Sequence, residues 1–583
     1  MVRFSVIAAL LGTLSATTAQ ALPRPVVGPD RDYVLGRFAY ASDRLPDAAR
    51  YFEAARREAP GDPVLARRAF DLAVAAGDEK LAVTLANQLA ANGHGDSTVA
   101  LIRLADALQR RDWNAADAAR PGLADAGYAA VVAPIVAAWT LYGRGQVDAA
   151  LAGLDPAKFE GFARSYVTEH RAAMLAAAKR YDAAAADYAT LLAGVGQNVV
   201  RLRIAAAAAQ QGAGRAAEAA KTLGTEADEP QLDAARSRLA AGKPLAVNLV
   251  AEPRQGVAWL AARLATDLSR EKPVPLALVF ARVAIFLAPE YPETWLIAGD
   301  VLARGERTDA ALAAYAHVPE HDPLGPLAAT RRALVLTEAG RDAEARPLLE
   351  AAANAKGATS EDWARLGDLD RKASRYGDAV QAYDRALALA GTASGAPAGA
   401  ASGTSAAENW TLYFLRGSAY EQAGDFAHAE PDLRQALQLS PQEPVVLNYL
   451  GYALLDRGQK LPEAQALIEA AAKLRPGDGF IVDSLGWLYY RTGQYDKAVA
   501  TLERAVAAEP GDPAINDHLG DAYWRVGRKL EARFRWRAAV DLGIPAALLA
   551  GVKVKLDYGL DVALVQAPVP AAPPTATRPA PKQ

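Results

Sequence analysis

One phrase returns at a fixed interval late in the chain and restricts the fold more than any other feature. It reads Arg416-Gly417, Leu450-Gly451-Tyr452, Leu485-Gly486-Trp487 and Leu519-Gly520-Asp521, with its glycines 34, 35 and 34 residues apart. The rest of the pattern keeps step: an alanine (Ala429, Ala464, Ala498, Ala532), a bulky apolar residue (Leu433, Ile468, Leu502, Trp536) and a second alanine (Ala436, Ala471, Ala505, Ala539). A proline usually follows, at Pro441, Pro476 and Pro510. Glycine and alanine at these offsets let two helices lie close together, and the larger residues fill the space that remains. Proline stops the second helix and sets the entry of the next. A single helical hairpin of this kind cannot bury both its faces, so neighbours stack, and stability becomes a sum of nearest-neighbour terms. The extra residue of the second unit falls near Lys460, in a turn, where an insertion costs little.

A unit of about 34 residues with this spelling resembles the tetratricopeptide (TPR) repeat. The resemblance implies an all-α fold, a superhelical solenoid of antiparallel helix pairs. Residues 409–542 form the regular array. The chain opens on a similar unit (Leu35-Gly36, Ala48, Phe52, Ala55, Pro60), after which the register blurs, and 22–223 reads as degenerate TPR-like helical repeats. The period is lost over 224–275, an expected irregular linker or hinge that could equally be a degenerate repeat stacked continuously. It contains one expected helix, from about Gly256 to Ser269. Repeats resume over 276–390 (Trp295, Gly299, Ala311; Trp363, Gly367, Ala379). Residues 391–408 are rich in Gly, Ala and Ser and read as a flexible loop. A capping helix is expected within 543–566, and the Pro/Ala-rich tail 567–583 is expected to be disordered, as a spacer or as a ligand for another domain.

A 583-residue chain is too long for one compact core, but a solenoid has no such limit. The net charge of −3 lacks the basic footprint of a nucleic-acid binder. With no cysteine, disulfides, thiolate metal sites and a lipid-modified N-terminal cysteine are all excluded. Arg3, the short apolar run 5–16 and Ala19-Gln20-Ala21 read as a signal peptide, 1–21, cut after Ala21. The competing reading, a retained anchor, conflicts with a run too short for a bilayer of about 30 Å. With no other apolar stretch long enough to span, the expected location is the periplasm or the periphery of the outer membrane.

Enzyme signatures are scarce. The sequence carries no P-loop, no dinucleotide-binding glycine pattern and no nucleophile elbow. His317-Val318-Pro319-Glu320-His321 has the H-x-x-E-H spelling of an inverted zinc-peptidase motif, but Pro319 between the histidines breaks the single helical face the motif needs. Asp517 and Asp521 lie one helical turn apart, and nothing nearby completes a metal or acid–base site. The expectation is therefore a non-catalytic chain without metal or cofactor. The candidate site is the groove lined by the first helix of each pair. Three before, one after, four after and five after each motif glycine stand Asn448, Tyr452, Leu455 and Asp456; Asp483, Trp487, Tyr490 and Arg491; and Asp517, Asp521, Trp524 and Arg525. Tryptophan, tyrosine and arginine on one surface are typical of protein-binding hot spots, and an Asn or Asp at the first position suits an extended peptide backbone. The bland alternative is that Trp487 and Trp524 seal the joints between repeats.

The longer wording Asn448-Tyr-Leu-Gly-Tyr452, Val482-Asp-Ser-Leu-Gly-Trp487, Asp517-His-Leu-Gly-Asp-Ala-Tyr-Trp524-Arg-Val-Gly-Arg528 and Trp536 resembles a group of bacterial envelope TPR proteins. That group includes outer-membrane lipoproteins acting as adaptors between cell-wall hydrolases and a C-terminal processing protease. The resemblance is strong over 408–542 and weakens toward the N-terminus. It implies a protein-binding scaffold with an envelope protease and cell-wall hydrolases as partners, although this chain lacks the cysteine such lipoproteins acylate. Other expectations are a structural subunit of an export or outer-membrane assembly complex and, from a different class, a metal-dependent hydrolase using His317, Glu320 and His321.

Overall fold

The computed structural model describes residues 29–123, 127–195, 200–225, 229–245, 250–270, 275–355, 357–393 and 409–566. The signal peptide, most of the 391–408 loop and the tail 567–583 lie outside the described residues. Among those described, every regular element is a helix, and none is long and apolar enough to cross a membrane. The chain forms two compact units, residues 1–335 and 336–583.

Unit 1 begins with six helical hairpins in sequence order, from Pro29–Ala41 with Leu45–Glu58 to Val200–Gly212 with Ala216–Leu223. The motif glycine keeps its task even in these blurred repeats: a Cβ on Gly36 would stand 2.6 Å from the Phe52 ring. The stretch 224–275, expected as a linker or hinge, lies inside this unit and holds two helices, Pro230–Ala240 and Pro253–Leu268. The second of these and the next helix, Pro275–Leu287, turn back onto the first helices of the earlier hairpins and share one core with them. Pro275–Leu287 is apolar all round apart from Arg282, the composition of a helix enclosed on every side. Its Phe280, Ala284 and Leu287 are essentially unexposed.

Polar contacts fix this returning pair in register. The Gly256 backbone lies flat on the buried Trp139 indole, a contact only glycine allows. Trp259 Nε1 donates to Glu169 at 2.5 Å, and Arg263 pairs with the same carboxylate. Arg201 stacks on the Trp259 ring at 3.7 Å and pairs with Glu293. The buried Arg282 has no carboxylate. Its Nε and Nη2 donate to the Ala75 carbonyl, at the C-terminus of Pro63–Ala76 where the helix end carries partial negative charge. Burial lowers its pKa to about 10.

Unit 2 holds the regular array. Its last three hairpins are Pro444–Asp456 with Leu461–Leu474, Gly479–Arg491 with Tyr495–Ala508, and Pro513–Arg525 with Lys529–Asp541. The repeat spacing acts as the sequence requires: a Cβ on Gly486 would meet Leu502 Cγ at 2.6 Å, and one on Gly520 would meet Trp536 Nε1 at 2.5 Å. Asp478 and Asp512 cap the first helices of the last two pairs, each accepting from two backbone N–H groups. The inserted Lys460 adopts φ 47°, a left-handed conformation at the entry to its helix. Successive first helices pack on one another more closely than successive second helices do, which places the first helices on the inner side of the array. Helices Ala546–Tyr558 and Leu560–Gln566 follow, within the stretch expected to cap the solenoid.

Candidate protein-binding groove

The groove residues chosen by offset do converge on the inner side of unit 2, and most of them also meet the next helix along. Asp483 is buried and accepts from His518 Nδ1 of the following repeat at 2.9 Å. Burial alone would lower the His518 pKa, but the Asp483 carboxylate, with Asp517 and Asp521 behind it, holds it above the usual value. Trp487 is sandwiched between Tyr490, at 4.6 Å and 9° between planes, and His518, at 4.2 Å and 16°. Trp487 therefore lines the groove and seals a joint at the same time.

One repeat further, Asp517 and Asp521 do share a side, and the group between them is a cation from the capping helix. Lys555 Nζ donates to Asp517 at 2.8 Å and to Asp521 at 2.9 Å, while Trp536 Nε1 donates to Asp521 at 2.9 Å. Burial raises the Asp521 pKa against the pull of Lys555. For Lys555, burial works downward, but the two carboxylates prevail and push its pKa up. Trp524 Nε1 donates to Asp561 at 2.9 Å, and Arg525 reaches Asp561 and the Tyr490 hydroxyl, each at 3.4 Å. The capping segment thus engages all four residues chosen in the last repeat, while the two preceding repeats keep the open part of the groove.

In that open part, two buried polar atoms have no hydrogen-bond partner among the described residues: the amide oxygen of Asn448 and the indole nitrogen of Trp487. Asn448 is 4% exposed, so leaving its oxygen dry costs about 1–3 kcal/mol. Tyr452 is half-buried, Leu455 buried, and Arg491 exposed with its guanidinium 3.8 Å from Asp456. Sequence reasoning missed His518, Lys555 and Asp561. His518 stands beside the chosen offsets in the same helix, but Lys555 and Asp561 lie beyond the repeats, where no periodicity points to them.

The H-x-x-E-H segment follows helix Thr308–Tyr315 in unit 1. The His317 ring stacks on Trp295 at 3.8 Å, and its Nδ1 lies 2.9 Å from the Ala313 carbonyl, while Glu320 and His321 are exposed in the turn. Among the described residues, no three His, Cys, Asp or Glu side chains are grouped to hold a metal.

Family models described as TPR repeat and tetratricopeptide repeat match residues 486–527, 410–443 and 27–63. The chain therefore carries TPR repeats at both ends, the class of protein-interaction scaffold its fold defines. In a 91-residue segment it is 41% identical to the TPR repeat-containing protein PA4667 of Pseudomonas aeruginosa. That segment is 16% of this chain and 15% of the relative's length. The Cut9–Hcn1 hetero-tetramer of the APC/C is similar at 14% identity, covering 93% of this chain and 97% of that one, with a TM-score of 0.37. A TPR protein from Parabacteroides merdae is 15% identical over 46% of this chain and 98% of its own, with a TM-score of 0.38.

Proposed function

We propose that this chain is an exported, non-catalytic adaptor of the bacterial cell envelope that holds a partner by an extended peptide segment. The segment lies in the inner groove of Pro444–Asp456 and Gly479–Arg491. The observation that carries the reading is the pair of dry polar atoms there. The Asn448 oxygen accepts and the Trp487 nitrogen donates, which matches what one peptide group offers in return. Tyr452, Tyr490 and Arg491 beside them supply the aromatic and guanidinium contacts that dominate protein interfaces. Holding two proteins on one scaffold raises their effective concentration for each other without new chemistry. The resemblance in the repeat wording supports an envelope protease and cell-wall hydrolases as that pair.

The test is affinity capture from envelope extract, with the wild-type chain beside Trp487→Phe and Asn448→Ala. Trp487→Phe keeps an aromatic ring between Tyr490 and His518 but removes the N–H. Capture of a protease or hydrolase by the wild type, weakened in both variants while helicity is retained, supports the groove. Equal capture by all three sends the binding site elsewhere.

A further inference from the structure

The last repeat differs from its neighbours on its outer side, far from the groove. Leu530 and Phe534 of helix Lys529–Asp541 are 84% and 69% exposed, one helical turn apart. Two residues before and two after the motif alanine, the preceding repeats have Asp496 and Ala500, Pro462 and Ala466, and Ala427 and Pro431. Only the last of these four repeats places two large apolar side chains there. Its charge departs in the same place. Residues 528–537 carry Arg528, Lys529, Arg533, Arg535 and Arg537 against the single acid Glu531, in a chain of net charge −3. The equivalent stretches hold Lys497 against Asp496 and Glu503, Lys460 against Glu463 and Glu469, and Arg434 against Asp425, Glu430 and Asp432.

Some of these cations have local duties. Arg528 pairs with Glu503 and Glu531, and Arg535 donates to Asn516. Lys529 and Arg537 are exposed beside the apolar pair. On a helical wheel Leu530, Phe534 and Arg537 fall on one outward face, opposite the buried Ala532, Trp536 and Ala539.

We propose that this face is a membrane-contact site for an anionic lipid surface, with Leu530 and Phe534 entering the headgroup boundary and the cations meeting lipid phosphates. An apolar centre ringed by arginine and lysine on an exposed helix is the pattern of interfacial binding. An acidic protein or a nucleic acid would satisfy the cations but leave Leu530 in water. The site is separate from the peptide groove and stands or falls without it.

The test is co-flotation of the purified full chain with vesicles of phosphatidylcholine, alone or mixed with phosphatidylglycerol. Wild type is expected to float with the anionic vesicles at least ten-fold more than with neutral ones, and to lose this preference at high salt. Leu530→Ser with Phe534→Ser should abolish flotation, and Lys529→Glu with Arg537→Glu should reduce it ten-fold or more, with thermal midpoints unchanged because all four side chains are exposed. Asn448→Ala should float as wild type, which keeps this result distinct from the fate of the groove. Flotation unchanged in both double variants overturns the proposal, as does a wild type that does not distinguish the two vesicles. Loss in the charge variant alone, with retention on immobilised polyglutamate, also overturns it and assigns the face to an acidic macromolecule.

Discussion

Replacing Lys555 by methionine tests how the end of the array is held. The substitution keeps most of the side chain's volume and removes the charge between Asp517 and Asp521, whose side chains are 13% and 7% exposed. Breaking one partner out of a buried ion pair costs about 3–5 kcal/mol when the rest of the structure stays in place. Here it need not stay in place. Helix Ala546–Tyr558 has one fully buried apolar side chain, Val552, and the following helix adds Leu560. At about 1.5–3 kcal/mol for each, the apolar docking is of the same size as the penalty. The segment should therefore release locally and return both carboxylates to water. Amide exchange in 546–566 is expected to lose most of its protection, while the denaturation midpoint of the array falls by no more than about 3 kcal/mol. Lowering the pH should narrow the gap to wild type, because burial already favours protonated Asp521 and a neutral acid needs no lysine. Adding Asp517→Asn and Asp521→Asn to the methionine should restore protection. Unchanged exchange in 546–566, with a stability loss under about 1 kcal/mol, would refute the reasoning and leave Lys555 a bystander.

Other predictions follow from the packing and the two buried histidines. His170 accepts from Trp139 Nε1 and is fully buried, with a pKa lowered to about 3 by that burial. The folded state refuses a proton that the unfolded chain takes, so unit 1 should lose about 1.4 kcal/mol per pH unit as pH falls from about 6.5 toward 3. His170→Gln should flatten that slope in denaturant titrations. His518 works in the opposite sense: its pKa is raised, so its contribution is complete below about 6.5 and fades as pH rises through the folded value. Gly256→Ala drives a methyl into the Trp139 indole and should cost unit 1 about 1–3 kcal/mol, read as a lower midpoint for its own transition. Gly486→Leu overpacks against Leu502 by a similar amount and should act on unit 2 instead.

The sequence alone determined the repeat. Gly417, Gly451, Gly486 and Gly520 announce close helix pairing because their small size has one structural use at that spacing, and the contacts with Leu502 and Trp536 follow directly. It also located the inner face of the first helices, since a 3.6-residue period fixes which offsets share a side. Only tertiary structure decided what covers that face. Nothing in Pro253–Leu268 and Pro275–Leu287 says where they dock, because an apolar helix specifies burial without naming a neighbour, and 224–275 lacks the period that would have placed it. The match between the Gly256 backbone and Trp139, or between Arg282 and the end of Pro63–Ala76, joins residues more than a hundred positions apart. The same holds for Lys555. Asp517 and Asp521 are legible as a pair of acids one turn apart, but the cation between them comes from beyond the last repeat, and only folding brings it there.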